Sequence, residues 1–291
     1  LKAVFYYLSL PFLYLLSLLP FPLLYALSDL FFLILFYLVG YRKGLVLLNL
    51  RRSFPGKEET ELKQIRRKFY RHLCDLFLET FKTLTISPQA MLRHCSFEPA
   101  SKQLLNDFAA QGQSVILVMG HQGNWEWAGN TCSLEVPGSQ LYVIYHPLAN
   151  PYMNGLITKM RRRFGTRLIA MKDTFKEMVA HRAETTTTAF IADQTPHPDH
   201  AHWMTFLHQD TPVFLGTERI ARKLKYPIVY AFVKKIKRGY YQIHVEKLVE
   251  NPAATGDGEI TERHTHRLEQ DIIGQPETWL WSHRRWKHKR P

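Results

Sequence analysis

Cysteine is scarce in this sequence: Cys74, Cys95 and Cys132 are the only three in 291 residues, and no two form a CxxC pair. That excludes a disulfide scaffold and fits a reducing compartment. A Gly-x-Ser-x-Gly elbow is missing, so no acyl-serine route is expected, and no Gly-rich nucleotide loop argues for a bound cofactor. Charge is missing from the start of the chain. Residues 1–40 contain only Lys2 and Asp29, which cancel, so the whole net charge of +13 lies in residues 41–291. Disorder is excluded by the 46% hydrophobic and 13% aromatic content.

What stands in the uncharged region is a run of Leu, Phe, Tyr, Val and Ile from residue 3 to residue 41. It is nearly twice the roughly 20 residues that a spanning helix needs. Pro20-Phe21-Pro22 divides it, which predicts one apolar helix to about Leu19 and a second from Leu23 to Val39. The run is too long for the core of a cleavable signal peptide, and no small-x-small site follows it. Residues 1–41 are therefore expected to be a membrane anchor and residues 42–291 a separate catalytic domain. Ten Lys/Arg against three Glu in residues 42–72 follow the apolar run. Such a basic flank attracts anionic headgroups and stays on the cytoplasmic side. Within it, Leu62, Ile65, Phe69, Leu73, Leu76 and later apolar residues recur at helical spacing, predicting an amphipathic helix over 58–84 that ends at Ser87-Pro88.

Beyond residue 100 short apolar runs alternate with helical stretches. Strands are expected at 114–119, 141–145, 167–170, 188–192, 204–207, 228–233 and 240–245, the last two joined by a turn at Arg238-Gly239. Helices are expected at 101–111, 125–134, 151–164, 173–182 and 216–225. The alternation predicts an α/β fold with a mainly parallel central sheet flanked by helices. In such sheets the chemistry sits beyond the carboxyl ends of the strands. The exit of the 114–119 strand reads Gly120-His121-Gln122-Gly123-Asn124-Trp125-Glu126-Trp127. Gly123 permits a tight turn, Asn124 can cap a helix, and Glu126 lies in its first turn. A carboxylate beside His121 would fix its tautomer and raise its basicity, as proton abstraction from an alcohol requires.

The string HQGNWEW resembles the signature of the lipid A biosynthesis acyltransferases, the lauroyl/myristoyl transferases of Gram-negative bacteria. They form a His-x4-Glu branch of the glycerolipid acyltransferases. Asn49-Leu50 with Ser53-Phe54-Pro55, Arg161 to Gly165, Ala192-Asp193-Gln194 and the tail from Trp279 to Lys287 resemble further segments of that branch, in order and across the whole chain. The resemblance implies that His121 is the general base and that Glu126 orients it. It implies substrate contacts from Arg161 or Arg163, on a phosphate or the developing oxyanion, and from Asp193, which would orient an arginine or the acceptor. Asn124 joins this expected substrate-binding set. The implied donor is acyl-acyl carrier protein, an acidic partner suited to a basic surface, with acyl-CoA as the alternative and no resident cofactor. The implied acceptor is a lipid A precursor at the bacterial inner membrane, with a lysophospholipid or aminolipid as the alternative. Cys132 reads as a small core residue and not as a nucleophile.

Two features are open to other readings. His197, His200, His202 and His208 cluster after Asp193, but their spacing matches no standard zinc pattern, so no metal is expected. The tail combines Trp279, Trp281 and Trp286 with Arg284, Arg285, Lys287, Lys289 and Arg290. Such a pairing could contact nucleic acid. With an apolar anchor at the other end of the chain, it reads instead as a membrane-interface belt. A non-catalytic, membrane-tethered basic binding protein is the competing class; the ordered motifs favour the enzyme.

Overall fold

A computed structural model describes residues 2–290. The apolar start forms α1 (Lys2–Leu18) and α2 (Phe21–Leu33), the latter continued by a π-helical stretch, Ile34–Val39. Pro20 and Pro22 open α2, where a fixed φ and a missing N–H cost nothing. Gly40, at φ 65°, ends the stretch in the left-handed conformation that glycine adopts freely. The expected break and both helices are thus in place. The short α3 (Lys43–Ser53), which the sequence did not announce, leads into α4 (Glu59–Lys82). On α4 the periodic apolar residues Leu62, Ile65, Phe69 and Leu76 are all buried.

The α/β body follows with α5 (Pro88–His94), β1 (Cys95–Phe97), α6 (Pro99–Ala110), β2 (Val115–Met119), α7 (Trp125–Glu135), β3 (Gln140–Tyr145), α8 (Pro151–Arg162) and β4 (Arg167–Ala170). Next come α9 (Thr174–Ala180), β5 (Thr186–Ile191), β6 (Ala201–Phe206), β7 (Gln209–Phe214), α10 (Gly216–Leu224), β8 (Ile228–Lys237), β9 (Tyr240–Val249) and α11 (Glu259–Gly274). Seven strands form one sheet in the order β1-β9-β8-β2-β5-β3-β4. Every neighbouring pair is parallel except β8–β9, the hairpin that turns at Arg238-Gly239. Strands β6 and β7 form a separate antiparallel pair.

Beyond α3, the sequence reading also lacks α5, β1, β7 and α11. Strand β1 is only three residues long and has no apolar run of its own; it exists by pairing with β9. Strand β7 carries Gln209, Asp210 and Pro212 and is stabilised by β6. Helix α11 hides its period because the polar His264 occupies a core position between Ile260, Leu268 and Ile272. The Thr185–Thr188 run has no evident role in the sequence; its Thr186, Thr187 and Thr188 supply the buried first half of β5. There Thr187 meets the hydroxyl of Ser139, and Thr186 meets that of Ser114. The apolar helices pack against the body: α1 contacts α4 and α8, and α2 contacts α4.

Candidate active site

Strand register builds the site. Strands β2 and β5 are parallel neighbours with Met119 opposite Ile191, and the Ala192 N–H extends the ladder to the Met119 carbonyl. The residues two beyond each strand end, His121 and Asp193, therefore face one another. Asp193 Oδ1 lies 2.5 Å from His121 Nδ1, and its Oδ2 accepts the His121 backbone N–H at 3.0 Å. This is a correction for Glu126. The carboxylate on the imidazole is Asp193, 72 residues away, and not the Glu126 of the local motif.

Asp193 is itself held from below. Trp279 Nε1 donates to its Oδ2 at 2.8 Å and Arg285 Nη2 at 3.1 Å, while Arg285 Nε donates to its carbonyl at 2.5 Å. The Arg285 guanidinium stacks 3.9 Å from the Trp279 ring centroid. Burial alone would raise the Asp193 carboxyl, but His121 and Arg285 outweigh it and hold the group well below the usual carboxylate range. Burial also lowers Arg285, to about 10 against the pull of Asp193, which still leaves it charged at neutral pH. The sequence reading of Asp193 as a residue that engages an arginine named no particular one. The tail reading placed Arg285 and Trp279 at a membrane interface and not beneath Asp193.

The turn between β2 and α7 is tightly specified. Gly123 sits at φ 62°, and a Cβ there would meet the Val233 carbonyl oxygen at 2.1 Å, so only glycine fits. Its N–H donates to the Thr278 carbonyl, and the Leu280 N–H donates to the His121 carbonyl, so the C-terminal segment clamps the turn from outside. Trp279 and Trp281 are fully buried there. This corrects the interface-belt reading of the tail: these two rings are core.

Asn124 is also buried. Its Oδ1 caps α7 by accepting the Trp127 N–H, and its Nδ2 donates to Glu79. It therefore supports the turn and does not face substrate. Arg163 likewise turns away, donating through Nη1 to the carbonyls of Thr83 and Ile86.

Above His121 opens a cleft of about 520 Å³, within the usual range for small-molecule sites. His121, Glu126, Arg161 and Gln194 are among its polar groups, with Val143 and Ile191 among the apolar ones. Arg161 grips Glu126 through Nε at 2.9 Å and Nη2 at 2.5 Å. Burial opposes the charge on Arg161, but Glu126 restores it and raises the guanidinium further. The Trp125 ring stands edge-on to His121 at 5.1 Å, and Gln194 Nε2 lies 3.4 Å from His121 Nε2. With Nδ1 committed to Asp193, Nε2 is the nitrogen free to take a proton. An apolar recess of about 40 Å³ adjoins the cleft, sharing Trp125, Gly129, Val143 and Ile191 with it and reaching Cys132. Burial pushes the Cys132 thiol up to about 12, which suits a core residue. Of the four histidines after Asp193, His197 pairs with Asp199 and His202 with Glu262.

The family model for bacterial lipid A biosynthesis acyltransferases matches residues 1–288. Over 238 residues the chain is 18% identical to lipid A biosynthesis acyltransferase 2 of Shigella flexneri, covering 80% of this chain and 74% of that one. It is 20% identical to the lipid A biosynthesis acyltransferase of Haemophilus influenzae, at 80% and 72% coverage. With the lipid A biosynthesis myristoyltransferase of Escherichia coli K12 it shares 19% identity, at 84% and 75% coverage. A histidine backed by a buried carboxylate, an arginine-lined cleft and a match running nearly end to end lead to one assignment: the chain belongs to the bacterial lipid A biosynthesis acyltransferase family.

Proposed function

We propose that this protein transfers a fatty acyl chain from acyl-acyl carrier protein to a hydroxyl of a lipid A precursor, at the cytoplasmic face of the bacterial inner membrane. The observation that carries the chemistry is the His121–Asp193 pair at the floor of the cleft. His121 Nε2 takes the proton of the acceptor hydroxyl as the oxygen attacks the thioester carbonyl. Asp193 stabilises the imidazolium that forms. The tetrahedral intermediate collapses by breaking the C–S bond, and His121 returns its proton to the departing thiolate. No acyl-enzyme is required.

Arg161, fixed by Glu126 in the cleft wall, offers a positive charge suited to an acceptor phosphate. The recess behind Gly129 is apolar, as an acyl chain needs. The surplus of 38 Lys/Arg over 25 Asp/Glu suits an acidic carrier protein, and the apolar helices α1 and α2 suit a membrane-bound substrate. The test is transfer from acyl-acyl carrier protein to a tetra-acylated lipid A precursor in mixed micelles. Wild type should transfer, and folded His121→Ala should not. Acylation of a lysophospholipid or aminolipid in place of this acceptor would overturn the substrate assignment while leaving the chemistry intact.

A further inference from the structure

Helix α2 together with its π-helical continuation, Phe21–Val39, has the length and composition to cross a bilayer, yet one of its faces is occupied from end to end. It runs antiparallel to α4 in a regular register. Tyr25 donates to Glu79 at 2.8 Å, Ser28 donates to Asp75 at 2.7 Å, the Arg71 guanidinium lies 5.2 Å from the Phe32 ring, and Phe36 packs 5.2 Å from Tyr70. Arg238 of the β8–β9 turn bridges the two helices, reaching Asp29 on α2 and Asp75 on α4. A spanning α2 would carry Arg71, Asp75, Glu79 and Arg238 to the depth of the hydrocarbon. Ionisable groups at that depth are disfavoured on insertion scales, and α4 could not follow without tearing open the α/β body.

The other face is bare. On α2 and its π-helical continuation, Leu23, Ala26, Leu30, Leu33 and Tyr37 are exposed; on α1, Val4, Leu8, Phe12, Leu15 and Leu18 are 62–73% exposed. In each helix these residues recur every three or four positions, so each presents a continuous apolar stripe. The flanks are cationic: Lys159 Nζ meets the Tyr14 hydroxyl beside α1, and Arg71 covers Phe32 beside α2. A stripe of this kind edged with Lys and Arg fits a surface that is apolar inside and anionic at its rim.

We propose that α1 and α2 lie side-on in one leaflet as a platform in the membrane plane, and do not cross the bilayer. This rests on the membrane reading above and specifies its mode. It also gives α8 a role. Tyr152 and Met153 of α8 pack with α1, Asn154 and Arg161 line the cleft, and Ile157 touches both. The membrane-facing helix and the cleft thus share one helix as their partition, and a lipid acceptor enters past it without leaving the interface.

The test is depth measurement by spin label. Single cysteines replace Leu8, Leu15, Leu23, Leu30 and Leu38 in the full-length protein, bound to vesicles of phosphatidylethanolamine and phosphatidylglycerol. Cys74, Cys95 and Cys132 are buried, and the unsubstituted chain serves as the labelling control. Collisions with oxygen and with a water-soluble nickel chelate report depth. The platform predicts shallow, nearly equal depths, within about 5–10 Å of the headgroup boundary. A spanning α2 predicts depths that change by about 1.5 Å per residue, or roughly 22 Å between Leu23 and Leu38, and overturns the proposal. Full exposure to the chelate at every site would instead overturn the membrane reading itself. Protection from chelate and oxygen alike, with dipolar broadening between labels, would show a second copy covering the stripes and would equally overturn the platform.

Discussion

Arg161 holds Glu126 by two hydrogen bonds in the wall of the cleft, and this pairing takes the motif carboxylate away from His121. The imidazole is served by Asp193, which the sheet delivers from a different strand. Under the proposed mechanism the two carboxylates have separable tasks, one in the chemistry and one in holding an arginine.

Asp193→Asn should lower kcat by roughly two to four orders of magnitude, because the amide no longer stabilises the imidazolium. Glu126→Gln should act mainly on KM for a phosphorylated acceptor, by loosening Arg161. Steady-state kinetics of both variants, with acceptors carrying or lacking phosphate, checks the division. A larger kcat loss in Glu126→Gln than in Asp193→Asn would reverse the roles.

Arg285→Met should destabilise the fold as well as the reaction. Arg285 and Asp193 are almost fully buried, with side chains 3% and 2% exposed. Removing one member of such a pair costs on the order of 3–5 kcal/mol. Part of that loss is offset here by Trp279 and His121, which remain on the carboxylate. Chemical denaturation should show a lower midpoint at unchanged slope, together with reduced turnover.

A larger side chain at residue 129 should shorten the preferred acyl chain. A Cβ at Gly129 meets nothing within 4 Å, and the residue lines both the cleft and the apolar recess. Gly129→Leu occupies space that the acyl tail would otherwise enter. Each methylene so excluded weakens binding by about 0.8 kcal/mol, or roughly fourfold. Competition between acyl donors of different length, read by mass spectrometry of the product, should favour the shorter donor in the variant. An unchanged preference would place the chain elsewhere.

Stability should fall as the medium is acidified below about pH 6.5. His264 is buried, its Nε2 has no hydrogen-bond partner among the described residues, and burial lowers it to about 4. An unfolded histidine titrates near 6.5. Between these values the unfolded chain binds the extra proton. The contribution is thus complete above about 6.5 and is lost as pH falls toward 4, to a limit on the order of 3 kcal/mol. Melting temperature against pH should slope downward on the acid side in wild type and more gently in His264→Leu, where nothing there can titrate.

The fold was legible where local physics is strong. Pro20 and Pro22 mark the helix break, the apolar period marks α4, and the uninterrupted VILVM marks the buried centre of the sheet. The turn after β2 was legible too, because Gly123 occupies a conformation and a space that no side chain tolerates. Elements that borrow their stability were not: β1 and β7 exist through their partners, and α11 hides its period behind a buried histidine.

Chemistry divides in the same way. By itself the sequence determined that His121 follows a buried strand on a rigid turn, since a strand, a glycine and a capping asparagine are local facts. Which carboxylate serves it was decided by the pairing of β2 with β5, a contact across 72 residues that no local spacing encodes. The same holds for Arg285 beneath Asp193 and for the burial of Trp279 and Trp281. Basic and aromatic residues at a chain end look alike in sequence whether they meet a membrane or a core. Only packing against α3, α4 and the β2–α7 turn removes Trp279 and Trp281 from the surface.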